Sequence, residues 1–531
     1  VSIESLLRAL ALYTLALVFA CSVTRLAVAL DPDPQHPLAI VASTWSHGRL
    51  VERAVLPRLD ARPPTHEVET PDRELVYETV VDEGPVLTEP DAAFALSIVA
   101  GHDGVVATLG GKTAYVTVDD LLVRQAYDRG VTVGGLGLSI GVDPAVVWAL
   151  LAEGLGTSAA SVRAHARVRR ARFVRSTPDR PPPPASHVTA GSLTPDIVRG
   201  AALDAARYLA RGTGDDGHLR YLVDAPSNRT VAGYDWPRHA GATYFLAQAA
   251  ALSHEPEIAT ACLRAAALLR DKALVDCGDE RCIGSDNRAD VGSSALSVLA
   301  YVEIVRTRLD PTYGPLVASL ASFLRSQQRD DGEFMHEYDR AARERVDVQY
   351  LYYSGEAALA LSRANTITRA PADLDASRRA LAHLVGPAWS FFGDRYYFGE
   401  EHWTCQAMAD LWDRAPSPTA LDFCARWQAF GRKMQYRAGD SLYDADGAIG
   451  VGPIVTPRFT PVASRCEAGV ATLDILRRTG ATGEASLLDA QLRRSLALLV
   501  RKQLRPGPEH LFADPMAVYG AMPGSEVDLQ L

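Results

Sequence analysis

Cysteine is scarce in this chain. Seven residues in 531 are too few and too scattered for a disulfide framework. Cys277 and Cys282, in DCGDERC, stand close enough to bridge across a loop in an oxidising compartment. No partner cysteine or histidine pair follows at zinc-finger spacing, so no structural zinc site is read there. Basic residues are also in deficit: 54 Lys and Arg against 64 Asp and Glu leave a net charge of −10, with no general attraction for nucleic acid. HExxH, GxSxG and a glycine-rich dinucleotide fingerprint are all missing, which tells against protease, serine hydrolase and dehydrogenase. LGGKT invites a phosphate-loop reading and fails it, because Val106 occupies the position of the first required glycine. No clustered metal ligands stand out, and the reading carries no metal and no cofactor.

What is present describes a globular protein, with 47% hydrophobic and 22% charged residues in a chain long enough for two domains. Arg8 precedes the apolar run ALALYTLALVFA, Ala9 to Ala20, and LAVAL ends at Leu30 before DPDP. Residues 1–30 are therefore expected to be a signal peptide or membrane anchor, and the protein extracytoplasmic. Ala27-Val28-Ala29 fits ordinary cleavage. Val18-Phe19-Ala20-Cys21 is a loose lipobox that would lipidate Cys21. Both readings stand, beside that of a buried cytosolic helix.

Residues 38–176 read as a small α+β domain. Val105 to Val118 forms a β-hairpin turning at Gly110-Gly111, and Asp143 to Glu153 a helix. The stretch from Ser161 to Arg180 carries seven arginines, Arg163 to Arg180. It is read as a solvated helix face plus a basic linker, with an anionic surface as the alternative. Residues 177–196, with four consecutive prolines, form an extended linker. From Ile197 two kinds of helix alternate. Long amphipathic ones such as Ile197–Arg211 interleave with apolar, small-residue ones such as VGSSALSVLAYVEIV, which should be buried. Asp-Gly turns and short extended stretches connect them, as in DDGHLRYLVD, DDGEFMHEY and DADGAIGVG. This is an internal repeat of five pairs, with a sixth outer helix ending near Leu504 and no sixth inner helix after it.

The alternation with DG-aromatic turns resembles the six-hairpin glycosidase superfamily, whose fold is an all-α (α/α)₆ toroid; here it would occupy residues 197–531. SQQRDDGEF, Ser326 to Phe334, is similar to a turn of the triterpene cyclase and prenyltransferase α/α barrels, but the initiating DxDD is missing. YYSGEAALAL, Tyr352 to Leu361, resembles the inner helices of bacterial carbohydrate-active toroids and uronyl epimerase-like proteins. DGVVATLGGKTAYVTVDDLL resembles the AMME-syndrome candidate protein family and implies no residue roles. The toroid resemblance implies an oligo- or polysaccharide partner and carbohydrate chemistry. A glycoside hydrolase is the first expectation, with uronate lyase or epimerase, or a non-catalytic glycan- or peptide-binding toroid, as alternatives.

If the extended stretches all precede inner helices, they gather at one rim, and function should sit there. Aromatics beside carboxylates suit sugar rings, and paired carboxylates can share acid and base work. Glu356 lies inside an apolar helical run, where a carboxylate must be paired or face a polar cavity. It is the expected acid or base, with Asp347, Glu401 and His239 to complement it. Trp236, Arg238, Tyr350, Tyr353, His402, Trp403 and Arg465 are the expected substrate-binding residues. Asp235, Asp290, Glu337, Glu400 and Glu467 stand on the same rim. Asp290, Glu400 and Glu401 are equally readable as helix caps.

Overall fold

The computed structural model describes residues 38–56, 73–133, 138–177, 187–387, 401–441, 443–450, 455–505 and 509–531. Residues 1–30, expected to be a leader or anchor, the linker residues 178–186 with the four prolines, and the expected rim residue Glu400 lie outside them.

The first domain is a six-stranded antiparallel sheet in the order β2-β1-β3-β8-β4-β5. Its strands are β1 (Ala39–Ser46), β2 (Arg49–Leu56), β3 (Glu74–Pro85), β4 (Asp103–Leu109), β5 (Lys112–Val116) and β8 (Arg167–Ser176). Four short helices accompany it: α1 (Asp91–Leu96), α2 (Val118–Val123), α3 (Pro144–Leu155) and α4 (Ala159–His165). The hairpin at Gly110-Gly111 is β4–β5, as its alternation predicts. The glycine-rich stretch after it forms the ribbon β6 (Tyr127–Val133) and β7 (Leu138–Val142).

The arginine-rich stretch corrects the sequence reading. It is not a solvated helix face: Arg167 to Ser176 is an inner strand of the sheet, between β3 and β4. Its arginines are consumed internally. Arg170 and Arg172 both reach Asp103, at 3.1 and 2.9 Å, Arg169 reaches Glu83 at 2.6 Å, and Arg175 pairs with Asp119. Arg163 binds Glu89 and Asp91 at the surface. The acidic partners lie more than 50 residues away in sequence, where a reading of local charge cannot find them.

From Pro195 the chain is mostly helical, in two sets. The odd-numbered helices are amphipathic: α5 (Pro195–Arg211), α7 (Pro256–Leu268), α9 (Gly314–Gln327), α11 (Pro371–Leu384), α13 (Pro418–Lys433) and α15 (Thr482–Lys502). Five of these six carry proline in the first turn, where its missing N–H costs nothing. The even-numbered helices are buried: α6 (Trp236–Ser253), α8 (Val291–Arg306), α10 (Tyr353–Thr368), α12 (Glu401–Leu411) and α14 (Phe459–Arg478). In α8 every residue from Val291 to Ile304 is buried, because apolar and small residues occupy all its faces. The inner helices pack in series, α6 on α8, α8 on α10, α10 on α12 and α12 on α14. Among the described residues there are five of them, with no sixth.

One joint recurs between outer helices. A glutamine at the end of one helix donates its side-chain amide to a carbonyl of the next outer helix and to that of the turn glycine. Gln328 reaches Ala376 at 2.9 Å and Gly332 at 3.1 Å. Gln435 reaches Gln491 at 2.9 Å and Gly447 at 3.5 Å. Gln503, after the last helix, reaches Ala201 of the first at 2.8 Å and Gly520 at 2.7 Å. The turn glycines of these joints hold positive φ. A Cβ would lie 2.5 Å from the Arg379 carbonyl at Gly332 and 2.1 Å from the Asp204 carbonyl at Gly520. Only glycine fits there.

After this last joint the chain crosses to the first domain. Leu511, Phe512, Val518, Val527 and Leu529 join the core of the sheet, and Leu531 exchanges two backbone hydrogen bonds of 2.9 Å with Val223. His510, completely buried, meets Asp119 at 2.8 Å and Glu74 at 3.6 Å. The two domains are thereby sewn together by the C-terminal segment.

Candidate functional site

The N-termini of the five inner helices face one end of the array. The short sheet β13 (Arg288–Asp290), β14 (Glu337–Asp339) and β15 (Glu344–Val346) fixes the register there, setting Asp290 opposite Glu337.

Three carboxyl groups from successive inner helices meet at this end. Asp235 precedes α6 without capping it, and its Oδ1 is buried with no hydrogen-bond partner among the described residues. Asp290 does cap α8, accepting from the backbone N–H of Ser293 at 2.6 Å and its hydroxyl at 2.7 Å. Burial still pushes its carboxyl up to about 6, opposed by the Ser293 bonds and reinforced by Asp235 and Glu337. Glu356, in the first turn of α10, is 5% exposed, and its Oε2 has no hydrogen-bond partner among the described residues. Burial, then Asp290 and Asp235, drive its carboxyl well above the usual range and so favour its protonated form.

Tyr353 closes over this group. Its hydroxyl is driven up by burial and by Asp290, Glu356 and Asp235. Its ring lies against Gly292 of α8, where an added Cβ would fall 2.2 Å from it. Glycine at that position is what lets the ring reach the carboxyls. Gly292→Ala is expected to displace Tyr353, costing about 1–3 kcal/mol of stability and, through misplacement, roughly 10²-fold in rate. Thermal melting alongside kcat/KM checks this; an unchanged rate would detach Tyr353 from the chemistry. Glu337 accepts from Arg288 at 2.9 Å and from the Tyr350 hydroxyl.

The arc continues on α12 and α14. Glu401 is buried beside Arg465, at 3.8 Å; burial raises its carboxyl, with Arg465 opposing. The His402 ring packs on Trp403 and edge-on to Tyr352, and its Nε2 lies 3.8 Å from Glu467. Glu467 accepts from Gln406 at 3.1 Å, and its side chain is otherwise open to solvent. Trp403 abuts Gly355, where a Cβ would fall 2.8 Å from the Trp403 Cβ, so α10 and α12 come into close contact beside Glu356.

Two expected catalytic residues stand elsewhere. Asp347 lies on an exposed loop, paired with Arg329 at 3.2 Å. His239 is a core histidine, with Nδ1 on the Tyr234 hydroxyl at 2.5 Å and Nε2 on the Ala265 carbonyl at 2.9 Å. Burial lowers it to about 4, so it stays neutral, with both ring nitrogens engaged. Trp236 packs edge-on to Tyr234 and His239, and Arg238 lies over the Tyr221 ring while binding its hydroxyl at 2.9 Å. Asp235 and Asp290 take the places expected of Asp347 and His239. Their signal in the sequence is positional: each immediately precedes an inner helix, in consecutive repeats. Among the described residues no group of His, Cys, Asp and Glu is arranged to hold a metal ion.

No family model matches the sequence, and no curated protein matches it. Solved structures similar to this chain include a D-mannose isomerase, at 12% identity and TM-score 0.45, covering 56% of this chain and 85% of that one. The cellobiose 2-epimerase of Spirochaeta thermophila has 13% identity and TM-score 0.45 over 59% of this chain and 88% of that one. A GH76 α-mannanase of Bacteroides thetaiotaomicron has 13% identity and TM-score 0.38 over 53% and 87%. Likeness at this level assigns no residue and no reaction.

Proposed function

We propose that this chain is a carbohydrate-active enzyme, a glycoside hydrolase built on an (α/α) toroid with six outer and five inner helices. The observation that carries this is that Asp235, Asp290 and Glu356 lie close enough at one rim for Asp235 to add to burial in raising the pKa of the other two, with a buried oxygen on Glu356 that has no hydrogen-bond partner among the described residues. A neutral Glu356 is a proton donor to a leaving glycosidic oxygen. Asp290, ionised above about 6, is a base for the attacking water or a stabiliser of developing positive charge. Tyr353 and Trp403 supply ring faces beside these groups.

The charge of the rim favours neutral sugars over uronates. The carboxyls of Asp235, Asp290, Glu337 and Glu356 lie there against Arg288, which Glu337 already occupies, and Arg238, which binds the Tyr221 hydroxyl. A uronate carboxylate placed there would meet a surplus of like charge. The experiment is turnover by the full chain on matched panels of neutral and uronate oligosaccharides, read by product NMR. Cleavage of neutral members is expected. Cleavage confined to uronates would replace this reading with a lyase or epimerase, and binding without turnover would make the protein a glycan-binding module.

We also propose export, with residues 1–30 as leader or anchor. Two bridges, Cys277–Cys282 and Cys405–Cys424, support an oxidising compartment. Reducing the second, which closes a loop between α12 and α13, is expected to cost about 3 kcal/mol. Thiol alkylation of protein purified without reductant should spare these four cysteines; four reactive thiols there would contradict export.

A further inference from the structure

A cleft opens along α14, bounded by α10, α12 and α15. Its volume is about 440 Å³, and its walls include Arg363 of α10, Gln406 and Asp410 of α12, Glu467 and Val470 of α14, and Leu496 of α15. Elsewhere the inner helices are covered by their neighbours, but here α14 presents an open face: Val470 is 54% exposed and the Glu467 side chain 55%. The cleft adjoins the rim, because Glu467 borders both: it faces His402 at 3.8 Å on one side and Gln406 at 3.1 Å on the other. Gln406 lies roughly 7.5 Å further along α12 than Glu401.

The chemistry of the walls is two-sided. Val470 and Leu496 form an apolar face, and Gln406, Asp410 and Glu467 a hydrogen-bonding one. The charges largely cancel. Arg363 is held by Glu303 at 2.8 Å, by Asp410 at 3.4 Å and by the Tyr244 hydroxyl, and Asp410 also takes Arg414 at 2.7 Å. No cation is left over for an anionic ligand among the lining residues, while Glu467 and the Gln406 amide stand open to the space. A pyranose ring with an apolar C–H face and a fringe of hydroxyls matches this pairing, and the volume lies within the range of ligand pockets.

We propose that this cleft is a sugar-binding subsite that holds a neutral pyranose unit of the same oligosaccharide whose reacting bond sits at Glu356, with Glu467 and Gln406 as its hydrogen-bonding pair and Val470 as its apolar wall. This rests on the carbohydrate reading of the rim. The enzyme then selects chains longer than the reacting pair of sugars, and the open face of α14 is the reason for that selection.

The test measures affinity by calorimetry for a neutral disaccharide and the matching tetrasaccharide. The full chain is used in a Glu356→Gln background, so that binding is read without turnover. The tetrasaccharide should bind more tightly. Val470→Trp, which fills the open space, and Glu467→Gln, which keeps the shape, should each reduce the tetrasaccharide's advantage about tenfold, or 1.4 kcal/mol. If either variant weakens both lengths equally, or neither, the subsite is wrong while the rim reading stands. If the chain binds neutral oligosaccharides of neither length, the subsite and the rim reading fall together. Should Val470→Trp not fold, Glu467→Gln decides alone, because its side chain is half exposed and isosteric.

Discussion

Glu356→Gln is expected to lower kcat/KM on a neutral oligosaccharide by roughly 10²- to 10⁴-fold while leaving the melting temperature unchanged or raised. The amide keeps the shape of the side chain and fits the same apolar first turn of α10. What it loses is the transferable proton. Stability should not suffer, because the native carboxyl already sits buried beside two other acidic groups without a partner for its Oε2 among the described residues. Asp347→Asn provides the contrast. That residue pairs with Arg329 at the surface, and its replacement should leave the rate intact. A rate that survives Glu356→Gln, or collapses with Asp347→Asn, would move the chemistry away from this end of the inner helices.

The second large effect concerns stability. His510→Ala is expected to cost about 1–3 kcal/mol, because it leaves buried Asp119 with Arg175 alone and removes the imidazole that reaches Glu74. Burial works against the charge on His510, but Asp119 and then Glu74 overcome it and raise its pKa. Nearby Glu78, completely buried, is pushed up to about 8, by burial first and by Asp119 second, with Arg175 opposing. Its Oε1 accepts the backbone N–H of Asp119 at 3.2 Å. The sign of the pH dependence follows. Both groups have folded pKa values above their unfolded ones, so the stability they contribute is complete at low pH and lost as pH rises. For Glu78 the loss runs from about 4.5 to about 8. Asp119 works in the other direction: burial opposes its charge, but Arg175 and His510 hold it below its usual value, so its contribution disappears in acid. Melting temperature should therefore decline from pH 6 to pH 9, and Glu78→Gln should flatten that decline. A profile as steep in Glu78→Gln as in the unaltered protein would place the titrating group elsewhere. The same cluster explains why the helical half is best studied as part of the whole chain: removing the first domain would expose Leu511, Phe512, Val518, Val527 and Leu529.

Much of the helical layout was legible because its signals are local. Apolar residues on every face mark α8 and α10 as buried, and Asp-Gly turns mark the ends of outer helices. Glu356 was legible for the same reason, as one carboxylate inside an apolar run. Its partners were not. Asp347 is nearer in sequence than Asp235 or Asp290, but the pairing of β13 with β14 carries Asp290 to the centre, while Asp347 leaves β15 toward solvent. Register between repeats decides this, and a single repeat does not encode it. The arginines of β8 misled for a related reason, since a strand's ion-pair partners sit on other strands. Cys405 and Cys424 are 19 residues apart on two different helices, a spacing with no bridging signature until α12 and α13 are packed.

The account turns on two carboxyl groups, Asp290 as base and Glu356 held toward its protonated form, and the pH dependence of kcat/KM on a cleaved neutral oligosaccharide tests it most directly. The expected profile is a bell. Its acid limb lies at about 6, where Asp290 ionises, and its alkaline limb lies well above the ordinary glutamate range, where Glu356 loses its proton. Asp290→Asn should abolish the acid limb along with most of the rate. A profile with its limb at an ordinary carboxylate value near 4 and no alkaline fall, or one unaltered by Asp290→Asn, would contradict the assignment of acid and base to this rim.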